Sequence, residues 1–515
     1  MIDFANSDRP NLDGIKVGGH QASSASMVSI LTALYFDFLD SEDRISIKPH
    51  ASPVFHAIQY LLGNLDESYL KKLREAGGLQ SYPSRTKDPD TVDFSTGSVG
   101  LGAVAPLFAA VTRQYVDSHF GSRPKSRFIS VIGDAELDEG NIWEALADPI
   151  TANLGNVMWI VDFNRQSLDR VIPGVRIAQW RAQFEAAGWH VKEVKYGSKL
   201  VKVFEDSNSQ EFKIWFDEIP NEQYQSLFGL TPKEARIRFL EGSPEGVSQF
   251  LDKYSDEELF EILTDLGGHD ISSLLETFKE CDAVENKPSV VFAYTIKGWH
   301  LPIAGDKRNH SAQISKKQID ELRTLLGISE SNEWSKFEPG SAEDSLCLSR
   351  AHSLKRPSSK AEISGEFPHT AGIAPTGSSS SQEAFGRVLT EISRNEAIRP
   401  YLVTTAPDVA TSTNLGGFIN RHGIFNKDVK REWNNNSIQK WVEGPKGQHI
   451  ELGISEMNLF TLLGQLGISG DISDQPLIPI GTVYDPFVLR GLDSLVHGVY
   501  SGSRFIVVGT PSGVT

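Results

Sequence analysis

The sequence predicts an α/β protein made of two units, each a parallel sheet flanked by helices. Three observations carry that reading. A strand, helix, strand pattern runs from Arg127 to Val161, and a second α/β pattern begins at Glu383. Between them, from about Glu338 to Gln382, the chain is rich in Ser, Gly, Pro and Lys and includes the run Ser378–Ser381, which is linker composition. The expected organisation is a first domain over 1–340, a linker over 341–382 and a second domain over 383–515.

Taken in order, a helix is expected over Gln21–Phe38, where Met27, Ile30, Leu31, Leu34 and Phe38 fall at helical spacing directly after Gly18, Gly19 and His20. Ser95–Gly102 is a Gly-rich turn leading into a helix with Val104, Leu107, Phe108, Val111 and Tyr115 in register. Arg127–Ile132 and Val157–Val161 are short apolar runs of buried-strand type. The helix between them runs through Ile142, Ala145, Leu146, Ile150 and Leu154 and stops at Gly155, so the unit is the right-handed crossover of a parallel sheet. Residues 200–285 are acidic and punctuated by Pro220, Pro232 and Pro244, with helical patches such as Asp256–Leu266, which predicts a helical insertion. Ser289–Thr295 is a further strand. The second unit reads as helix Glu383–Asn395, strand Tyr401–Thr405, helix Ser455–Leu466 and strands Leu477–Ile480 and Phe505–Gly509. The chain ends at Thr515 with no closing helix, so this unit is expected to be incomplete.

Composition excludes several function classes. A chain of 515 residues is far larger than a disulfide scaffold or a lone binding module. Its 50 Lys and Arg stand against 67 Asp and Glu, a net charge of −17, the wrong sign for holding nucleic acid or an anionic membrane by bulk electrostatics. Two cysteines, Cys281 and Cys347, make neither a disulfide framework nor a multi-cysteine zinc site and fit a reducing compartment. The polar start, Met1–Gly14, lacks the pattern of a signal peptide, and no apolar run approaches a membrane span of about 20 residues. A cytoplasmic location is expected.

The chemistry-bearing residues sit at predicted strand ends. Ligands of parallel sheets bind in the crevice at the carboxyl edge. Asp134 follows one strand, and Asn164 and Gln166 follow the next. Such oxygens either converge on a hard cation, for which magnesium with a diphosphate is the natural guest, or cap a helix and shape a turn. The Ser95–Gly102 turn equally suits an anion at a helix N-terminus or close helix packing. His20 and His50 lie in loops, as catalysts or as solvated bystanders.

As a set these motifs resemble the thiamine diphosphate enzymes of the transketolase type, and within them the homodimeric decarboxylating component of the pyruvate dehydrogenase complex. The resemblance runs from about Lys16 to Thr515. It rests on Gly133-Asp134-Ala135-Glu136-Leu137-Asp138-Glu139 leading to Asn164-Arg165-Gln166-Ser167-Leu168-Asp169. Further matches are Gly18–Ser23, His50–Pro53, Ser81-Tyr82-Pro83, Ser98–Gly102, Gly267–Asp270, Thr295–Gly298, Gly453–Glu456 and Tyr484–Phe487. The resemblance implies two thiamine diphosphate-binding-fold domains and a magnesium ion held by Asp134, Asn164 and the Gln166 main chain. It places Gly133, Asp134, Ala135, Glu136, Ser98, Gly100, Asn164, His20, Ser23, Lys297, Tyr484 and Phe487 on the cofactor. It makes Glu456, His50, Tyr82 and His310 catalytic, Glu456 on the aminopyrimidine ring and His310 on a mobile loop serving transfer to a lipoyl group. In isolation Glu456 reads as an exposed helix residue and Phe487 as core. The implied function is decarboxylation of a small 2-oxo acid, most directly pyruvate, by a homodimer that acylates a lipoylated dihydrolipoyl acyltransferase. A transketolase moving a two-carbon ketol between sugar phosphates, or a non-catalytic fragment, stands as the alternative. The chain departs from the pattern at Ala135, where glycine is usual, at Lys48, where glutamine is frequent, and at Asp408, where the best-known branch has glutamate. Ala135 requires a turn that avoids positive φ.

Overall fold

A computed structural model describes the chain except for residues 11–13, 98, 167–170, 173–175, 357–360, 364–366, 368–369, 371–372, 374–376, 432, 434–437 and 513–515. Ser98 and the end of the second motif, Ser167–Asp169, therefore lie outside the described residues.

Two parallel sheets form the frame, as the alternation of strand and helix patterns requires. The first has the order β1-β2-β3-β5-β4, with β1 Arg44–Ser46, β2 Phe128–Gly133, β3 Val157–Phe163, β4 His190–Val194 and β5 Ser289–Tyr294. The second has the order β11-β10-β6-β9-β7-β8, with β6 Leu402–Pro407, β7 Ile424–Phe425, β8 Glu443–Gly444, β9 His449–Leu452, β10 Ile478–Tyr484 and β11 Ile506–Thr510. Every pairing between these strands is parallel. Strands β2, β3 and β5 are buried along their whole length, which is why they read as continuous apolar runs.

One helix joins the two units. Helix α1, Leu101–Phe120, packs on β2 of the first sheet and on α3, Glu456–Gly467, of the second unit. It is apolar on nearly all sides, from Ala103 to Val116, so it needs cover on both sides. A single buried cluster accordingly runs through Phe108, Val111, Tyr115, Phe425, Leu459 and Leu463.

Several elements differ from the sequence reading. The helix after β2 is only Gly140–Ala147 (α2), because Asp148 is extended before Pro149 and Pro149–Thr151 forms a tight 3₁₀ turn instead. Gly155 meets a different demand: a Cβ there would sit 2.1 Å from the Glu285 carbonyl oxygen. The helix expected over Gln21–Phe38 is broken into Gln21–Ala25, Val28–Ala33 and a wide turn Leu34–Phe38. Part of the stretch with linker composition, Ala342–Ser353, is a helix that docks on the first unit. Ser341 caps it, Cys347 is buried, and Arg350 donates to the Tyr35 and Leu39 carbonyls at 2.9 and 2.5 Å. Strand β4 lacks an apolar run and was not legible, since its edge position leaves most of its side chains part-exposed. The helices of the acidic 200–285 stretch form the connection from β4 to β5. Among the described residues no helix is long and apolar enough to cross a membrane.

The glycine contacts make a direct test. Gly155→Ala drives a methyl into the Glu285 backbone and is expected to cost about 1–3 kcal/mol of unfolding free energy. Gly140→Ala, at the first turn of α2 with open space around it, is expected to be neutral or to stabilise by about 0.4–1 kcal/mol. Urea unfolding midpoints measured side by side would show opposite signs for the two.

Candidate active site

Four neighbouring strands of the first sheet end at one edge, and each delivers polar residues there. Lys48 and His50 follow β1, Asp134 and Glu136 follow β2, Asn164 and Gln166 follow β3, and Thr295 and Lys297 follow β5. Gly133 pairs with Asp162 in register, which places Asp134 beside the Asn164 turn. A cavity of about 140 Å³ opens there, lined by Ser23, Lys48, His50, Gly133–Glu136, Glu139, Asn164, Gln166, Lys297 and His310.

Asp134 is buried, and its two oxygens accept from Ala135 N at 2.9 Å and Arg165 N at 2.6 Å. Burial, with the Asp162 carboxylate behind it, pushes its pKa up to about 7. Glu136 accepts from Gly133 N at 2.9 Å, and burial likewise raises it to about 7. Asn164 Oδ1 accepts from Gln166 N at 3.0 Å. Gln166 donates its amide to Gln225 Oε1 at 2.6 Å, leaving its own Oε1 buried without a partner among the described residues. Arg165, between them, holds φ +61°, a left-handed conformation that strains a residue with a Cβ. Its guanidinium lies 5.3 and 5.6 Å from the rings of Tyr224 and Tyr294, which anchor it. Ala135 does not have positive φ, so the methyl is accommodated as its turn requires.

Three histidines meet over this cavity. The ring centroids of His20 and His50 are 4.0 Å apart, those of His20 and His310 4.5 Å, and those of His50 and His310 5.2 Å. Gly18 and Gly19 at φ +82° and +123° turn the chain so that His20 reaches the group. His20 Nδ1 donates to the His310 carbonyl at 2.8 Å, which leaves Nε2 as the acceptor. Lys297 Nζ lies 3.2 Å from His310 Nδ1. Burial, then the neighbouring His20 and Lys48, pushes His50 down to about 2; burial and Lys297 push His310 down to about 4. These imidazoles are therefore neutral at physiological pH, and none is a solvated bystander. Burial and Lys48 lower Lys297 to about 8. Tyr82 packs its ring 5.6 Å from His50, outside the cavity lining.

The remaining predicted residues are elsewhere. Gly100, at φ +75°, begins α1, and a Cβ on it would sit 2.5 Å from Asn141 Oδ1, so its glycine answers close packing against α2. Glu456 follows β9, Tyr484 ends β10 and Phe487 follows it, and none of the three lines this cavity. Glu456 is buried and paired with Arg490 at 3.2 Å, against the exposed-helix alternative. Phe487 is 43% exposed, which overturns the core alternative for it. The Glu456 segment is held by the first unit: Ser455 Oγ donates to Glu144 Oε2 at 2.5 Å, and Asn458 Nδ2 and Gly453 N donate to Asp148 Oδ2, each at 3.2 Å.

Sequence reasoning passed over Asp162, the residue that binds the edge together. It accepts from Lys48 Nζ, Thr295 Oγ1, Ser26 Oγ at 2.7 Å and Asn164 Nδ2 at 3.2 Å. A charged residue inside the otherwise apolar run Val157–Phe163 was the available signal.

With this geometry in hand, the comparisons with known proteins agree with the motifs. Residues 17–210 match the family model described as transketolase, thiamine diphosphate binding domain. The pyruvate dehydrogenase E1 component of Escherichia coli K12 is 24% identical over 544 residues, covering 98% of this chain and 61% of that protein. Its counterpart in Pseudomonas aeruginosa is 26% identical over 542 residues, covering 98% and 60%. The chain thus spans about three-fifths of the length of these relatives. Among solved structures, transketolase from Leishmania mexicana superposes with a TM-score of 0.66 at 18% identity over 96% of this chain and 65% of that one. Transketolase from Campylobacter jejuni gives 0.65 at 14%, over 96% and 69%. The structural likeness establishes the fold, and the relatives bear out the resemblance read from the motifs.

The buried carboxyl of Asp134 predicts a pH effect. An acid whose pKa rises on folding resists ionisation, so the metal-free protein loses stability as pH climbs from about 4 through 7. Asp134→Asn removes that loss. Its stability relative to the parent, from urea melts in chelator, is expected to rise between pH 5 and 8. A difference that stays flat with pH would mean that Asp134 is ionised throughout.

Proposed function

We propose that this chain supplies the thiamine diphosphate and magnesium site of an enzyme that decarboxylates a small 2-oxo acid, most directly pyruvate, and passes the acyl group to the lipoyl arm of an acyltransferase. The observation that carries it is the convergence of Asp134, Asn164, Gln166, Lys297, His50 and His310 around one cavity at the sheet edge, with His20 packed against the two histidines. The relatives named as pyruvate dehydrogenase E1 components support this reaction class.

The residues present fit the group. Asp134 and Asp162 are both fully buried, and the carbonyl and carboxylate oxygens of Asp134, Asn164 and Gln166 form a hard donor set whose Gln166 Oε1 has no partner among the described residues. Magnesium would be held by Asp134, Asn164 and the Gln166 main chain, with Gly133, Ala135 and Glu136 shaping the wall. Bound thiamine diphosphate supplies an electron sink for the carbon that loses carbon dioxide. The chain does the rest. Lys297, with a pKa near 8, is charged at neutral pH and suited to a substrate carboxylate. His20 and His50, held neutral, accept or donate hydrogen bonds at substrate oxygens without adding charge. Glu456 offers a buried carboxyl held by Arg490, and Tyr484 and Phe487 offer ring faces. These three stand in the second unit, away from the cavity, which supports a homodimer in which one subunit's second domain covers its partner's first.

Cofactor titration tests the assignment. The parent chain should bind thiamine diphosphate in the presence of Mg²⁺, followed by calorimetry, and Asp134→Ala should abolish that binding while keeping its fold. Unchanged affinity in the folded variant removes the metal assignment, and turnover of ketose phosphates in place of 2-oxo acids would favour a transketolase. A second test concerns His310, whose low pKa means that any proton it gains is readily given up. In a full-length enzyme, His310→Ala should leave carbon dioxide release to an artificial electron acceptor largely intact, while acylation of a lipoyl domain falls by at least roughly tenfold. Equal loss of both rates contradicts a role specific to transfer.

A further inference from the structure

Lys48 and Asp162 form an ion pair whose side chains are only 6% and 0% exposed. A buried pair of this kind is weak evidence of stabilisation, because removing both charges from water offsets their attraction. Its placement suggests another use. Lys48 lines the cavity beside Gly133, where a Cβ would lie 3.1 Å from Lys48 Cε and 3.5 Å from Nζ, so the glycine at the start of the motif leaves room for this side chain. Asp162 is fixed by Ser26, Thr295 and Asn164 as well as by Lys48. The ammonium is thereby tethered in one position, and Asp162 takes one of its three N–H donors.

The cavity also contains the carboxyls of Asp134 and Glu136. An anionic ligand entering beside them needs positive charge next to it. A metal ion can be stripped by a chelator, but a tethered ammonium cannot. We propose that Lys48, held by Asp162, is a permanent cation of the diphosphate subsite and shares with the divalent metal the task of neutralising thiamine diphosphate. The inference rests on the functional reading above and goes beyond it by making part of the cofactor affinity independent of metal.

The test is calorimetric titration of the full chain with thiamine diphosphate, once in saturating Mg²⁺ and once in chelator, with inorganic pyrophosphate as a second probe. Lys48→Met strands a buried carboxylate and risks the fold, so the informative variant is Lys48→Gln/Asp162→Asn, which keeps a hydrogen-bonding pair of similar size without charge. A thermal melt confirms that it is folded. The parent should keep measurable affinity in chelator, and the double variant should bind at least roughly tenfold more weakly there, the effect of losing one charge-assisted hydrogen bond. In saturating Mg²⁺ the gap should narrow. Equal affinity of the folded double variant and the parent in chelator overturns the proposal. A parent that fails to bind even in Mg²⁺ overturns the functional reading and this inference with it, a result distinct from any difference between the two proteins.

Discussion

A carboxylate in the central strand of the first sheet organises this molecule. Asp162 lies on β3, fully buried, and gathers donors from Ser26 in the turn after the helix Gln21–Ala25, from Lys48 after β1, from Asn164 after its own strand and from Thr295 after β5. Burying such a charge is tolerable only when it is paired and hydrogen-bonded, so the segments that supply those partners must all come to one edge of the sheet. That requirement aligns the loop carrying His50, the turn carrying Asn164 and Gln166, and the strand exit carrying Lys297. Removing Asp162 would take the ion-pair partner from the buried Lys48 ammonium, a loss of about 3–5 kcal/mol by the usual cost of a broken buried pair.

A second constraint acts between the units. Helix α1 is buried from Leu101 to Val116 save at Gln114, and it is covered by β2 on one side and α3 on the other. The two sheets thus share one hydrophobic cluster, and the position of the second unit follows from the apolar surface of a helix in the first. Polar contacts refine that position. Glu144 on α2 and Asp148 just after it hold the Gly453–Asn458 turn, so the buried Glu456 is oriented by residues of the first unit although it does not reach that unit's cavity.

The parts of the site legible in the sequence were those at predictable strand ends. Asp134 and Asn164 follow continuous apolar runs, and the parallel topology then required them to be neighbours. The histidines were visible only as motif residues, because nothing local shows that loops from residues 18, 50 and 310 meet within one ring contact of each other. Gly100 was legible as a glycine of a turn suited to an anion or to close packing, and the approach of Asn141 shows the packing demand. Lys48 was noticed as a departure from a pattern, but its partner lies 114 residues away and is hidden in a strand.

By itself, the sequence determined that the chain is α/β, that its strands run parallel, and which acidic and amide residues stand at the ends of β2 and β3. Those features are local: periodicity, breaker residues and short apolar runs depend on neighbours a few positions apart. The tertiary structure alone decided the length of α2, the pairing of Lys48 with Asp162, the neutrality of the histidines and the separation of Glu456 from the first cavity. Each of these depends on burial and on partners distant in the chain, and the free energy of a charge or an imidazole is set by the dielectric and the donors that the fold places around it.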